Sequence, residues 1–404
     1  MRYVYADNAA TTAVSPSVLE AMLPYFTEIY GNPSSVHSFG TKAAAAMEES
    51  RKTIADCLGA KPGEIYFTSG GTESDNWALT SAARLQERRG KKHLITSKFE
   101  HHALSHTMEA LEKQGYEVTW LDVHEDGLVR VDELAAALRE DTGLVSIMYA
   151  NNEIGTIQPI AEIGKLCREK GIIFHTDATQ AVGHVPINVQ DQCIDMLTMA
   201  AHKFHGPKGV GILYCRATVA LYNMIQGGGQ EKGKRPGTEN PAAVVGMAVA
   251  LKEACESMAT EMPKVAALRD KLIAGLSTIP KSRLNGHPTK RLPGNVNFSF
   301  EGVEGESLLL SLDMKGIAAS SGSACTSGSL DPSHVLLAIG LTHEVAHGSL
   351  RLSLSHYNDE EDVDYILAEL PPILERLRSM SPVWERMLNE SSLDDNLAPP
   401  SSVR

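Results

Sequence analysis

Between residues 64 and 215 the chain alternates short apolar runs with helical stretches, and this alternation restricts the fold more than any other feature. The runs are Ile65–Thr68, His93–Thr96, Val118–Leu121, Leu144–Tyr149, Ile172–Phe174, Met196–Met199 and Val210–Tyr214. Helical patterns over 74–89, 102–114, 131–140 and 160–170 separate most of them. Strands joined by helix-length connections predict an α/β fold with a mainly parallel sheet covered by helices on both faces. Ligands of such sheets bind beyond the carboxyl ends of the strands. The residues that follow each run are therefore the candidates for chemistry.

The flanks are different. Ser15-Pro16 reads as an N-cap with proline in the first turn, opening a helix through about Tyr25. A second helix over 41–58 closes at Gly59. After Ile225 a glycine-rich loop runs to Asn240, followed by two helices over 241–260 and 262–278, a strand at Asn295–Phe300, a helix at Glu306–Met314, a strand at Leu350–Leu354 and a helix over 360–378. This predicts a large domain over 15–260 and a smaller α+β domain built from 1–14 and 261–385. The polar, proline-bearing stretch 391–404 is expected to be a disordered tail.

Charge and composition exclude several classes. A formal net charge of -13 argues against a nucleic-acid partner. Hydrophobic content of 43% and charged content of 22% are those of a soluble globular protein. No apolar run approaches the roughly 18 residues of a membrane span, and the start, MRYVYADNAATT, lacks the pattern of a signal peptide. Six cysteines (57, 167, 193, 215, 255 and 325) include no Cys-x-x-Cys pair, which predicts reduced thiols and a cytoplasmic setting.

The strand ends carry unusual residues. Ser69-Gly70-Gly71-Thr72-Glu73-Ser74-Asp75 opens a helix, where glycines and free N–H groups suit a phosphate. The same residues also read as a Thr72 N-cap with Asp75 completing a capping box and no ligand. Glu100-His101-His102 offers a histidine that could stack on an aromatic ring or shuttle a proton. His102 and His106, four apart on a helix, could pair on a metal but lack a third ligand nearby. Asn151-Asn152-Glu153 follows with side-chain amides. Asp177, in His175-Thr176-Asp177-Ala178-Thr179-Gln180, is costly after a buried strand unless paired, and a pyridinium nitrogen would pair it. Lys203 lies in Ala201-His202-Lys203-Phe204-His205-Gly206. Alone it reads as a loop lysine facing water or as a desolvated amine able to form a Schiff base. An anion cradle, a stacking histidine, amides, a pyridinium partner and an amine together are the components of a pyridoxal-phosphate site.

With these segments in view, the chain resembles the cysteine desulfurases of the NifS/IscS group, class V, fold-type I pyridoxal-phosphate enzymes. The segments are DNAATT, GNPSSVHSFG, FTSGGTESDN, EHHA, NNEIG, HTDATQA, AHKFHGPKG, GGGQE…RPGTEN, SSGSACTSGS and the stretch around Arg351, covering about residues 1 to 385. GIAASSGSACTSGSLDPSHVL, the AHG before Arg351 and SPVW place it nearest the nitrogen-fixation type. The resemblance implies removal of sulfur from L-cysteine, giving alanine and a persulfide on the enzyme. That sulfur would pass to a scaffold protein for iron–sulfur cluster or nitrogenase cofactor assembly. Lys203 would carry the cofactor and move the α-proton. Asp177 would pair with the ring nitrogen, His101 would stack on the ring, and Gln180 would bond the phenolic oxygen. Gly71, Thr72 and His202 would hold the phosphate, with Thr238 from the other subunit of a homodimer. Asn152 and Arg351 would clamp the substrate carboxylate. Cys325, in a loop too small and polar to pack a core, would be the sulfur-accepting nucleophile. No intrinsic metal is implied, and a transient iron–sulfur ligand role for Cys325 stays open.

Three positions depart from the group. Ala200 stands where serine often bonds the phosphate, Leu337 where arginine is common, and Pro236 stiffens its loop. Two alternatives keep the same cofactor or none: a selenocysteine lyase, and a docking platform for iron–sulfur assembly. The Gly228…Gly233-Lys234 spacing approaches a Walker loop, but Arg235 replaces the required hydroxyl residue and the preceding stretch reads as helix rather than strand.

Overall fold

The computed structural model describes residues 2–321 and 332–386. Cys325 and the stretch 391–404 lie outside the described residues. A seven-stranded sheet runs, in spatial order, Ile65–Thr68, Gly211–Cys215, Met196–Ala200, Ile173–Asp177, Thr142–Ser146, His93–Ser97 and Glu117–Leu121. Neighbours pair in parallel throughout, except that Gly211–Cys215 is antiparallel to both of its partners. The strands Ile173–Asp177, Met196–Ala200 and Gly211–Cys215 are buried at every position, as expected where helices cover both faces. On one face Trp77, Leu79 and Ala82 of the helix Gly71–Glu87 pack with Leu94, Leu104 and Leu144. On the other, Ile54 and Leu58 of the helix Ser38–Leu58 pack with Ile212, Met247 and Leu251.

A separate apolar cluster gathers Val4 and Ala6 with Val265, Leu272, Phe298, Phe300, Leu350, Leu352 and Leu370. Its sheet orders Ser349–Ser353, Asn295–Phe300 and Ser282–Leu284, all antiparallel. Val335, Leu336 and Ala346 pack instead into the cluster around the large sheet.

Several expectations are corrected. The two helices expected over 241–260 and 262–278 are one helix, Pro241–Leu276, with Pro263 inside it. Proline removes only one donor from such a long helix, and its Val265 and Leu272 reach the second cluster while Met247 and Leu251 serve the first. Thr72 does not cap its helix, which starts at Gly71. Thr72 sits in the first turn, and Asp75 points inward, 1% exposed. The stretch before the GGGQEKGKR loop is irregular from 216 to 229 rather than helical. The strand expected to reach Tyr149 ends at Ser146.

Candidate active site

The parallel strands end around one cavity of about 330 Å³, lined by Lys203, Asp177, Gln180, Gly71, Thr72, His101, Asn152, His202 and Arg351, together with Asp75 and Thr179. Nine of the sequence-nominated residues are thus brought together. Thr238 is not. It lines an adjacent cleft with Ser69, Arg235 and Gly209.

Lys203 ends a short 3-10 turn, Ala201–Lys203, immediately after the strand Met196–Ala200. The N-terminal arm runs along that turn: Thr12 N donates to His202 O at 3.0 Å, and Ser15 N to His205 O at 3.0 Å. The half-buried Lys203 donates from Nζ to Ala9 O and Ala10 O, both at 2.7 Å. Gln180 Nε2 donates to Ala9 O as well, at 3.0 Å. The sequence offered no reason to give Ala9 and Ala10 a role, because they act through their backbone carbonyls.

Asp177 closes its strand, and its Oδ1 accepts from Thr179 N at 2.9 Å. Behind it lies Asp75, whose carboxyl is pushed far up by burial and then by the neighbouring Asp177 charge. Asp75 Oδ1 is 3.7 Å from His175 Nε2. Burial depresses that imidazole to about 3, so it is neutral and the contact is not an ion pair. His101 caps the helix His102–Lys113 by accepting from Ala103 N at Nδ1, and burial lowers its pKa. His202 is lowered to about 4 by burial and then by Lys203 and Lys208, while its Nδ1 pairs with Thr11 Oγ1 at 3.1 Å. His102 stacks on His106 at 4.9 Å and meets His334 at 4.7 Å.

Arg351 sits in the strand Ser349–Ser353, 3% exposed. One guanidinium nitrogen donates to Asn152 O at 3.2 Å and another to Asp7 Oδ1 at 3.0 Å, while the buried Nε has no partner among the described residues. Asp7 lies in the DNAATT stretch, but only the fold shows that it steadies an arginine 344 residues away.

The cavity has the donors and shape for pyridoxal phosphate. A Cβ on Gly71 would meet the Thr179 hydroxyl at 3.1 Å, so the glycine keeps a hollow open at a helix start. Thr179 Oγ1 is fully buried with no hydrogen-bond partner among the described residues, and Ala200, which also lines the cavity, supplies no hydroxyl.

The aminotransferase class-V family matches residues 4–366, and the chain belongs to that family. Within it the chain groups with the cysteine desulfurases. It is 56% identical over 387 residues to cysteine desulfurase IscS of Clostridium botulinum, covering 95% of this chain and 97% of the relative. Among solved structures, a NifS-like protein superposes with a TM-score of 0.88 at 40% identity, covering 93% of this chain and all of its own. A structure of SspA in complex with cysteine gives 0.78 at 38% identity over 88% of this chain.

Proposed function

We propose that the protein is a pyridoxal-phosphate-dependent cysteine desulfurase, taking sulfur from L-cysteine and supplying it to iron–sulfur cluster assembly. The observation that carries this reading is the placing of Lys203, Asp177 and Arg351 around one cavity, the first two from neighbouring strands of the large sheet and the third from the smaller sheet. The likeness to a protein solved with cysteine bound supports the choice of substrate.

When bound, the cofactor supplies an electron sink that lets the α-hydrogen of an amino acid leave as a proton. Lys203 Nζ takes and returns that proton. The Asp177 oxygen not engaged by Thr179 would accept from the ring nitrogen and keep it protonated. Gly71 and Thr72 at the helix start would hold the phosphate, with neutral His202 as a further donor. His101 would cover the ring and Gln180 would bond the phenolic oxygen. Arg351, its terminal nitrogens held in place by Asn152 O and Asp7 Oδ1, would orient the substrate carboxylate beside Asn152 with their remaining N–H groups. The Cys325 thiolate then attacks the substrate sulfur. A sulfur–sulfur bond forms as the carbon–sulfur bond breaks, leaving a persulfide on Cys325, and the carbon skeleton departs as alanine after protonation.

A homodimer is part of this reading. Leu19, Leu23, Phe26, Tyr30, Val36 and Phe39 expose a row of large apolar side chains, each between 52% and 97% accessible, and such a row fits an interface. Thr238, outside its own chain's cavity, would reach the partner's phosphate cup. Among the described residues no helix is long and apolar enough to cross a membrane.

Borohydride reduction of the purified protein followed by peptide mapping tests the reading. The expected result is a cofactor fixed to the Lys203 peptide, and a Cys325→Ala variant that binds cofactor normally but makes no alanine from cysteine. A protein that takes up no pyridoxal phosphate, or a Cys325→Ala variant with unchanged alanine production, overturns it.

A further inference from the structure

Residues 322–331, which include Cys325, are flanked by two attachments to the groups around Arg351. Upstream, Ser320 pairs with Arg351 backbone to backbone: Arg351 N donates to Ser320 O at 2.6 Å and Ser320 N to Arg351 O at 3.1 Å. Downstream, Ser333 Oγ donates to Glu153 Oε2 at 2.5 Å. The same hydroxyl accepts from Val335 N at 3.1 Å and Leu336 N at 3.4 Å, capping the turn His334–Ala338. Its one proton and its lone pairs are therefore all committed, which fixes its orientation.

Glu153 is an improbable place for a carboxyl unless it has work to do there. It is 5% exposed, and burial pushes it up to about 7 against the pull of Ser333 and Arg351. Its backbone is also fixed. Glu153 N donates to Asn151 Oδ1 at 2.8 Å, and its carbonyl accepts from Asn297 Nδ2 at 3.1 Å and Asn295 Nδ2 at 3.2 Å. Asn297 is the register partner of Arg351 across the sheet, and Arg351 bonds the carbonyl of the preceding residue, Asn152. One residue thus joins the carboxylate clamp to the downstream root of the segment that bears the cysteine. His334 adds a second tie at that root, its Nε2 2.8 Å from Glu100 O.

We propose that Glu153 is a positioning residue: through Ser333 it holds the downstream root of residues 322–331 in register with Arg351, and so sets the approach of Cys325 to a substrate anchored there. The proposal rests on the desulfurase reading above. It assigns Glu153 no contact with substrate or cofactor.

The test separates two reactions of the cofactor-loaded protein. Exchange of the α-hydrogen of L-alanine in heavy water needs Lys203, Arg351 and the cofactor but not Cys325. Persulfide formation on Cys325 in a single turnover with L-cysteine, followed by mass spectrometry, needs all four. Glu153→Ala is expected to slow persulfide formation by about ten- to a hundred-fold, the penalty of a misplaced reactant, with alanine exchange and cofactor affinity changed by less than about three-fold. Glu153→Gln keeps an acceptor for the Ser333 hydroxyl and is expected to recover most of the rate. Ser333→Ala should reproduce the slow step if Glu153→Ala folds poorly. Equal losses in both reactions would overturn the proposal, because Glu153 would then belong to the clamp or the fold alone. Unchanged persulfide formation in both Glu153→Ala and Ser333→Ala would also overturn it. A wild-type protein that neither binds cofactor nor exchanges alanine would instead sink the desulfurase reading.

Discussion

Arg351 shows how a single side chain is prepared for a ligand. Its fork is held by Asn152 O and Asp7 Oδ1, and the guanidinium lines the cavity that also holds Lys203. Terminal nitrogens fixed in this way still carry further N–H groups for an incoming carboxylate. Arg351→Lys keeps the charge and loses the fixed fork. Steady-state kinetics should show the KM for L-cysteine raised about ten- to a hundred-fold, with a smaller change in kcat. A KM within about two-fold of wild type would show that the guanidinium plane does not bind substrate. The nominated residues Lys203, Asp177, His101 and Gln180 were legible because each follows a buried strand, where side chains of that chemistry are hard to explain otherwise. Asp7, Asp75 and Glu153 were not. Their partners lie 344, 100 and 180 residues away in the chain, and no local pattern announces such pairings.

Among the elements, the helix Gly71–Glu87 bears most directly on function. Its first turn opens into the cavity, and the space beside Gly71 is limited by the Thr179 hydroxyl 3.1 Å from where a Cβ would stand. Alanine suits a helix better than glycine by up to about 1 kcal/mol, which offsets the tight contact with Thr179, so Gly71→Ala should change apoprotein stability by no more than about 1 kcal/mol. The new methyl group crowds the phosphate cup, and titration with pyridoxal phosphate should show affinity reduced about ten-fold, or about 1.4 kcal/mol. Unchanged affinity would place the phosphate elsewhere. Strand and helix positions were largely readable from periodicity because the buried strands are short apolar runs between turn residues. The fused helix Pro241–Leu276 was not, since Pro263 is a strong local break signal that two-sided packing overrides. Nor was the antiparallel direction of Gly211–Cys215, because strand direction depends on how the chain returns and not on composition.

For the molecule as a whole, buried titratable groups set the response to pH. Burial lowers His175 to about 3 and His184, His202 and His205 to about 4. The unfolded chain binds their protons first, so these groups remove stability as pH falls below about 6.5. Burial raises Glu153 to about 7 and Glu100 to about 8, the latter held by Ser97 Oγ and by Met148 N at 3.0 Å. Here the folded state keeps protons that the unfolded chain has lost above about 4.3. Stability from these acids is therefore greatest at low pH, declines as pH rises, and stops changing once each folded pKa is passed. Between about 4.5 and 7.5 the two sets oppose one another, because the unfolded imidazoles still hold protons around their ordinary value of about 6.5. Above about 7.5 the imidazoles are neutral in both states and the buried acids act, with Asp75, also raised by burial, acting in the same direction. Apoprotein stability should therefore fall between about pH 7.5 and 9, by about 1 kcal/mol from Glu100. Denaturant unfolding of the apoprotein across that range measures it, and Glu100→Gln, which cannot ionise, should decline less steeply than the wild type. An equal decline in Glu100→Gln and wild type would mean that Glu100 is already ionised in the folded protein.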